Sequence, residues 1–267
     1  MTPDTPHAPA RTTALITGAS AGLGAEFARQ LAAQGHPVVL VARNRERLEE
    51  AAAGLEQRYG ITAEVLPADL TDDAGVAAVV GRLSDPRQPV GILVNNAGLG
   101  LLHDFEDNAI SAEKKHLKLH AETSMVLTHA ALAGMLARGE GRIINVASIA
   151  AFLPRGTYSA AKAWLLSFSR WANLAYRRRG IKVTAVCPGL THTEFHHRMG
   201  MDKSVAPAWA WLQAERVVRE ALADNQRGRA VSIPSKRYKV VAALSRVAPA
   251  RLMAGPPRKP EQHGGRP

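Results

Sequence analysis

Seven short runs of apolar and β-branched residues recur along the chain, each followed by a longer stretch with helical spacing. The runs are TALIT (13–17), PVVLVA (37–42), AEVLPA (63–68), GILVN (91–95), GRIINVAS (141–148), IKVTAVC (181–187) and RAVSIP (229–234). Between them, apolar residues fall on one helical face, as at Leu23, Phe27 and Leu31, or Leu165, Phe168 and Ala172. Strands apolar throughout need cover on both faces, and strands separated by helices pair in parallel. The expectation is α/β: a single doubly wound parallel sheet of about seven strands with helices on both faces. In such a sheet the ligand lies outside the carboxyl ends of the strands.

The chain has 267 residues, 46% of them hydrophobic, enough for one large core spanning residues 11–235. Residues 1–10 read as a disordered lead and residues 255–267 as a disordered, basic, Pro/Gly-rich tail. Cys187 is the one cysteine, so no intrachain disulfide is possible and a cytoplasmic setting is expected. The formal charge is +11, but residues 236–267 hold eight Lys or Arg against one Glu, so most of the excess is a C-terminal feature. No nucleic-acid recognition module accompanies it.

Directly after the first run comes TGASAGLG, with Gly18, Gly22 and Gly24 ahead of an amphipathic helix, and Ser20, Ala21 and Leu23 completing the turn. Glycine lets the chain approach a pyrophosphate closely, and the free N–H groups of the helix start point at the anion. About twenty residues on, the second run ends in Ala42, Arg43 and Asn44, where an NAD-binding chain often carries an acid for the ribose. Arg43 can instead pair with a 2′-phosphate, which favours NADP(H). The competing reading makes Arg43, with Arg45 and Arg47, a solvated helix start.

Four motifs in order, TGASAGLG (17–24), NNAG (95–98), YSAAK (158–162) and PGLTHTEF (188–195), resemble the short-chain dehydrogenase/reductase family, over roughly residues 11–235. The resemblance implies the Rossmann fold and an NADP(H)-preferring member. It implies cofactor contacts from Asp69 and Leu70 near the adenine, from Asn96, Ala97 and Gly98, from Tyr158 and Lys162, and from Pro188, Gly189 and Thr193 along the nicotinamide. It also makes Asn95 the residue that ties the central strands together.

Hydride transfer to a ketone leaves an alkoxide unless a proton arrives, so the site needs an acid beside the carbonyl oxygen and a donor to hold it. Tyr158 is the natural acid and Ser148 the donor; Lys162, one helical turn after Tyr158, is expected to lower the phenol pKa from ~10. Reversed, the same groups oxidise an alcohol. Two departures from the family stand out. The Ser148–Tyr158 loop is short, and His120 stands where the family has an asparagine that helps relay protons. His120 either supports such a relay, adding pH dependence through titration near neutrality, or is simply a packed histidine.

Residues 196–228 are expected to cover the substrate, with Trp209, Trp211 and Leu212 either lining an apolar pocket or packing the cover to the body. His196 and His197 lack partners for a metal site. Trp164, Phe168 and Trp171 form a stripe that marks either a homo-oligomer contact or core packing. Residues 236–254 read as a basic amphipathic end helix with Val240, Val241, Leu244 and Val247 on one face. Such a helix usually covers the sheet, so peripheral membrane contact is not the favoured reading. The chain is therefore read as an NADP(H)-dependent oxidoreductase acting on a small-molecule carbonyl or secondary alcohol, the alternatives being a cofactor-binding protein with weak catalysis or a membrane-surface reductase of a lipid carbonyl.

Overall fold

The computed structural model describes residues 11–101, 103–193 and 207–245. Its strands are β1 (Thr13–Thr17), β2 (Val38–Ala42), β3 (Ala63–Pro67), β4 (Val90–Asn95), β5 (Gly141–Val146), β6 (Ile181–Val186) and β7 (Val231–Ser232). They form one sheet in the order β3-β2-β1-β4-β5-β6-β7, and every neighbouring pair is parallel. All seven expected strands are present; only β7 is much shorter than its apolar run.

The helices are α1 (Gly22–Ala33), α2 (Arg45–Tyr59), α3 (Asp73–Ser84), α4 (Ile110–Leu117), α5 (Ser124–Arg138), α6 (Gly156–Tyr176), α7 (Ala214–Gln226) and α8 (Lys236–Leu244). Strand residues alternate between two apolar layers. Ala14, Ile16, Leu40 and Val94 pack with Phe27 and Leu31 of α1, Leu48 of α2 and Val218 of α7. Leu15, Val39, Leu93 and Ile143 pack with Val79 of α3, Leu127 and Met135 of α5 and Ala172 of α6. Each fully buried large side chain contributes ~1.5–3 kcal/mol, and because both faces are covered the strands read as unbroken apolar runs.

A buried polar chain crosses these layers. Asn95 Nδ2 donates to Asn145 Oδ1 at 2.8 Å and to Thr128 Oγ1 at 3.1 Å, and Asn145 Nδ2 donates to Ser169 Oγ at 2.8 Å. It fixes β4 to β5, α5 and α6, in keeping with the tie expected of Asn95.

Two surface elements depart from the simplest expectation. On α6 the rings of Trp164 and Phe168 stack at 5.1 Å and Trp171 follows at 5.9 Å from Phe168; core packing accounts for the half-buried Phe168, while Trp164 and Trp171 are exposed. On α8 the face expected to cover the sheet is turned outward: Val240 and Leu244 are exposed, while Ala242 is buried and Tyr238 points inward. The inward positions are taken by Tyr238, whose ring lies against Gly189 and whose hydroxyl accepts from Leu190 N (3.2 Å) and donates to Ala210 O (2.9 Å). Val247, His196 and His197 lie outside the described residues.

Replacing Asn145 by Ala removes the acceptor of Asn95 and the donor to Ser169 and leaves buried polar atoms unpaired. It is expected to destabilise the protein by ~2 kcal/mol in urea unfolding; a change near zero would mean that the chain of amides is not structural.

Candidate active site

Strands β2 and β3 lie on one side of β1 and β4 on the other, so connections diverge at the carboxyl ends of β1 and β4 and open a crevice there. The two strand ends are laced together. Thr17 Oγ1 accepts from Asn96 N and Ala97 N, both at 2.9 Å, and Asn96 Nδ2 donates to Thr17 O at 2.9 Å. Gly18, with φ +66°, turns the chain sharply, and a Cβ on Gly24 would meet Gly18 O at 2.0 Å, so the loop folds back on itself in a way only glycine permits. The helix it opens, α1, has no side-chain cap at Ala21 and no acid in its first turn. By contrast α2 and α3 are capped by Asn44, accepting from Arg47 N at 2.8 Å, and Asp72, accepting from Gly75 N at 2.7 Å. The uncapped start of α1 leaves N–H groups for an anion.

A cleft of about 320 Å³ lies above this loop. Of the residues read from the sequence, Gly18, Ser20, Ala21, Gly22, Leu23, Arg43, Asn96, Ala97, Gly98, His120, Ser148, Tyr158, Lys162, Pro188, Gly189 and Thr193 line it. Four do not. Gly24 sits beneath the loop, Asn44 is engaged as the α2 cap, and Leu70 is buried, its carbonyl accepting from Thr123 Oγ1 at 3.0 Å. Asp69 turns Oδ1 back onto Thr71 N (2.9 Å) and Thr71 Oγ1 (2.8 Å), with Arg43 Nη1 4.0 Å from Oδ2. Burial pushes the Asp69 carboxyl up, but the two bonds from Thr71 and the charges of Arg43 and Lys115 outweigh it and hold it below its usual range. Leu99, Gly100, Val146, Ala147 and Thr191 also line the cleft and were not singled out, because apolar and small residues carry no chemical signal.

Ser148 leaves β5 as the first residue of a one-turn loop, Ile149–Phe152, whose start it caps by accepting from Ala150 N at 3.1 Å. Helix α6 then begins at Gly156, so Tyr158 and Lys162 share a face and the Ser148 side chain is hydrogen-bonded to the Tyr158 hydroxyl. The short loop is thus reduced to a single 3₁₀ turn, held by Ile149 N donating to Pro188 O at 2.8 Å. Lys162 Nζ donates to Val146 O at 2.7 Å and lies 5.8 Å from the Tyr158 ring centre. Burial pushes the Tyr158 phenol up to about 12, only partly offset by the bond with Ser148, and pushes the Lys162 ammonium down to about 7. The expected lowering of the phenol by Lys162 does not arise from the protein groups alone, because a desolvated lysine is only partly charged at neutral pH.

This chain matches the family model described as short chain dehydrogenase over residues 12–204. The chain belongs to the short-chain dehydrogenase family. It is 30% identical over 224 residues to gluconate 5-dehydrogenase of Gluconobacter oxydans, covering 80% of this chain and 87% of that protein. The solved short-chain dehydrogenase from Sphingobium yanoikuyae in complex with NADPH is 34% identical, with a TM-score of 0.81 over 88% of this chain and 94% of that one. The bulky-bulky ketone specific alcohol dehydrogenase from Comamonas testosteroni is 31% identical, with a TM-score of 0.77 over 89% and 93%. Family membership makes this chain an oxidoreductase.

This short-chain dehydrogenase carries a buried histidine pair beside its tyrosine. A π-helical turn, Lys118–Thr123, joins α4 to α5 and turns His120 inward. His120 and His116 rings lie 4.5 Å apart, and each is within 6 Å of the Tyr158 ring, at 5.6 and 5.8 Å. His120 Nε2 donates to Leu99 O at 2.7 Å, while its Nδ1 is buried without a partner among the described residues, as is His116 Nε2. Burial, then the charges of Lys162 and His116, holds His120 well below the usual histidine range; burial and Lys162 lower His116. The expected titration of His120 near neutrality is therefore not found: depth in the fold keeps the ring neutral. His116 was missed, although its i, i+4 spacing from His120 was available as a signal.

Residues 196–206 of the expected cover lie outside the described residues, and none of the described ones lines the cleft. Trp211 stacks on His192 at 5.2 Å, Leu212 pairs with Thr191, and Trp209 is exposed with the Arg237 guanidinium over its ring. Cys187 is buried behind Ser148, and burial pushes its thiol up to about 12, which makes it a poor nucleophile.

Because the folded pKa values of His116 and His120 lie below the unfolded value of ~6.5, the unfolded chain gains protons that the native state refuses as the pH falls through that range. Stability should therefore fall as the pH drops below about 7, and His120→Asn should make the drop in melting temperature shallower. An unchanged slope in the variant would mean that His120 is charged in the native protein.

Proposed function

We propose that this chain transfers hydride between NADP(H) and a small-molecule carbonyl or secondary alcohol, with Tyr158 as general acid/base. The observation that carries the reading is the convergence, in one cleft, of an uncapped helix start behind a glycine loop with Ser148, Tyr158 and Lys162. The dinucleotide fits this chain: Gly18–Gly24 would hold the pyrophosphate, and Arg43, opposite no carboxylate at Ala42, would pair with a 2′-phosphate. Asp69, Leu70 and Asn44 belong to the adenine side as supporting residues, Asn96–Gly98 to the floor, and Pro188, Gly189 and Thr193 to the nicotinamide side. When bound, the cofactor supplies or accepts the hydride.

The protein's own groups manage the proton. Ser148 donates to the substrate oxygen, and Tyr158, protonated at neutral pH with its pKa pushed up to about 12, gives its proton as charge develops there. A cation brought beside the phenol draws its pKa down and eases the reverse transfer. Lys162, at about 7, gains and loses protons readily under the same conditions and can reprotonate the tyrosine. His120, neutral and tied to Leu99 O, supports the cleft wall beside Tyr158 rather than acting as a titrating relay. The exposed Trp164 and Trp171 of α6 belong, in this reading, to a contact with a second copy of the chain.

Tyr158→Phe is expected to lower turnover of a reactive ketone by roughly 10³-fold while leaving the NADPH dissociation constant within a few-fold of wild type. An active Phe variant would remove Tyr158 from the chemistry. Arg43→Glu should cut the preference for NADPH over NADH binding by about tenfold or more, as loss of a charge-assisted pair requires. An unchanged preference would make Arg43 a solvated helix-start residue.

A further inference from the structure

We propose that the outward face of α8, together with Trp209, docks this protein on an anionic lipid surface. The helix is pinned by Tyr238 and Ala242, and with those two positions inward the opposite face carries Val240 and Leu244, 57% and 55% exposed. Lys236 and Arg237 flank them and Lys239 lies at the edge, all exposed. Arg237 holds Trp209 beside the helix, its guanidinium 5.4 Å from the ring centre and bonded to Trp209 O. Trp209 is 66% exposed. Lys239 also lines a small cavity with Arg170 and Arg229, whose one acid, Asp224, is paired with Arg229 at 3.1 Å.

A tryptophan, two aliphatic side chains and three cations on one exposed face match a membrane interface, where apolar groups enter the acyl boundary and cations meet anionic headgroups. Charge decides the occupant. No Asp or Glu occurs from residue 227 to 260, and residues 246–267 hold five Lys or Arg against one Glu. A second copy of this face, or the chain's own C-terminal residues folded across it, would each bring like charge to like charge. An anionic lipid surface brings the opposite charge and an apolar interior together. Among the described residues no helix is long and apolar enough to cross a membrane, so the contact lies in the surface plane. Because Tyr238 joins α8 to Gly189 and Leu190 at the cleft edge, the docked face holds the cleft near the lipid.

The test is sedimentation of the full chain with phosphatidylserine-rich vesicles and with pure phosphatidylcholine vesicles, which does not depend on turnover or cofactor binding. Wild type should pellet with the anionic vesicles, release as salt rises, and stay in solution with phosphatidylcholine. Val240→Asp/Leu244→Asp should weaken partitioning by roughly tenfold or more, and Lys236→Gln/Lys239→Gln by roughly thirtyfold. Unchanged melting temperatures will establish that the variants fold, these positions being exposed. Wild type remaining in solution with anionic vesicles at low salt would overturn the proposal and leave a protein partner as the occupant. So would a Val240→Asp/Leu244→Asp variant that pellets like wild type, because the basic C-terminal residues alone would then carry binding. A wild-type dimer in sedimentation velocity that this variant splits would assign the face to a second copy instead.

Discussion

Strand β1 pairs in parallel with β2 on one side and β4 on the other, and the crevice between the diverging connections depends on holding the ends of β1 and β4 together. Thr17, Asn96 and Ala97 do this with three hydrogen bonds at 2.9 Å. The lacing brings Asn96 and Ala97 so close to Gly18 that a Cβ there would lie 2.8 Å from Asn96 Nδ2, which explains why glycine must begin the loop. Once the loop is fixed, the N-terminus of α1 opens on the cleft without a cap, and β4 carries Asn95 to Asn145, which in turn holds α6 through Ser169. The strand junction therefore sets both halves of the site, the glycine turn that opens α1 and the helix that carries Tyr158 and Lys162.

Within the cleft, burial outweighs pairwise charge. It raises Tyr158, lowers Lys162, His116 and His120, and raises Cys187, so near neutral pH the charge these groups hold around the tyrosine hydroxyl is that of a partly protonated Lys162. Such a site costs little to dehydrate and responds strongly to any charge brought into it. That combination suits a reaction in which an alkoxide must be met by a proton.

The strands were legible because a sheet covered on both faces demands unbroken apolar runs, and the Ser148–Tyr158–Lys162 set because helical spacing carries the last two onto one face. What escaped were properties set by contacts distant in sequence. The outward turn of α8 follows from Tyr238 reaching Leu190 and Ala210, against which the apolar pattern of Val240 and Leu244 has no say. The neutrality of His120 follows from depth and from Lys162, neither visible in a string of residues. Asn44 was read as a cofactor contact, and its side chain also caps α2, a second role that the residue type suits and that the reading did not name.

Hydride transfer with NADP(H), the reaction proposed for this cleft, is tested by following oxidation of NADPH, and separately of NADH, by the wild-type protein against a panel of steroid, fatty-acyl, sugar and small aromatic carbonyls. At least one class should turn over with NADPH, with a lower kcat/KM when NADH replaces it. No oxidation of either cofactor by any carbonyl, with no reduction of NADP by the matching alcohols, would contradict it.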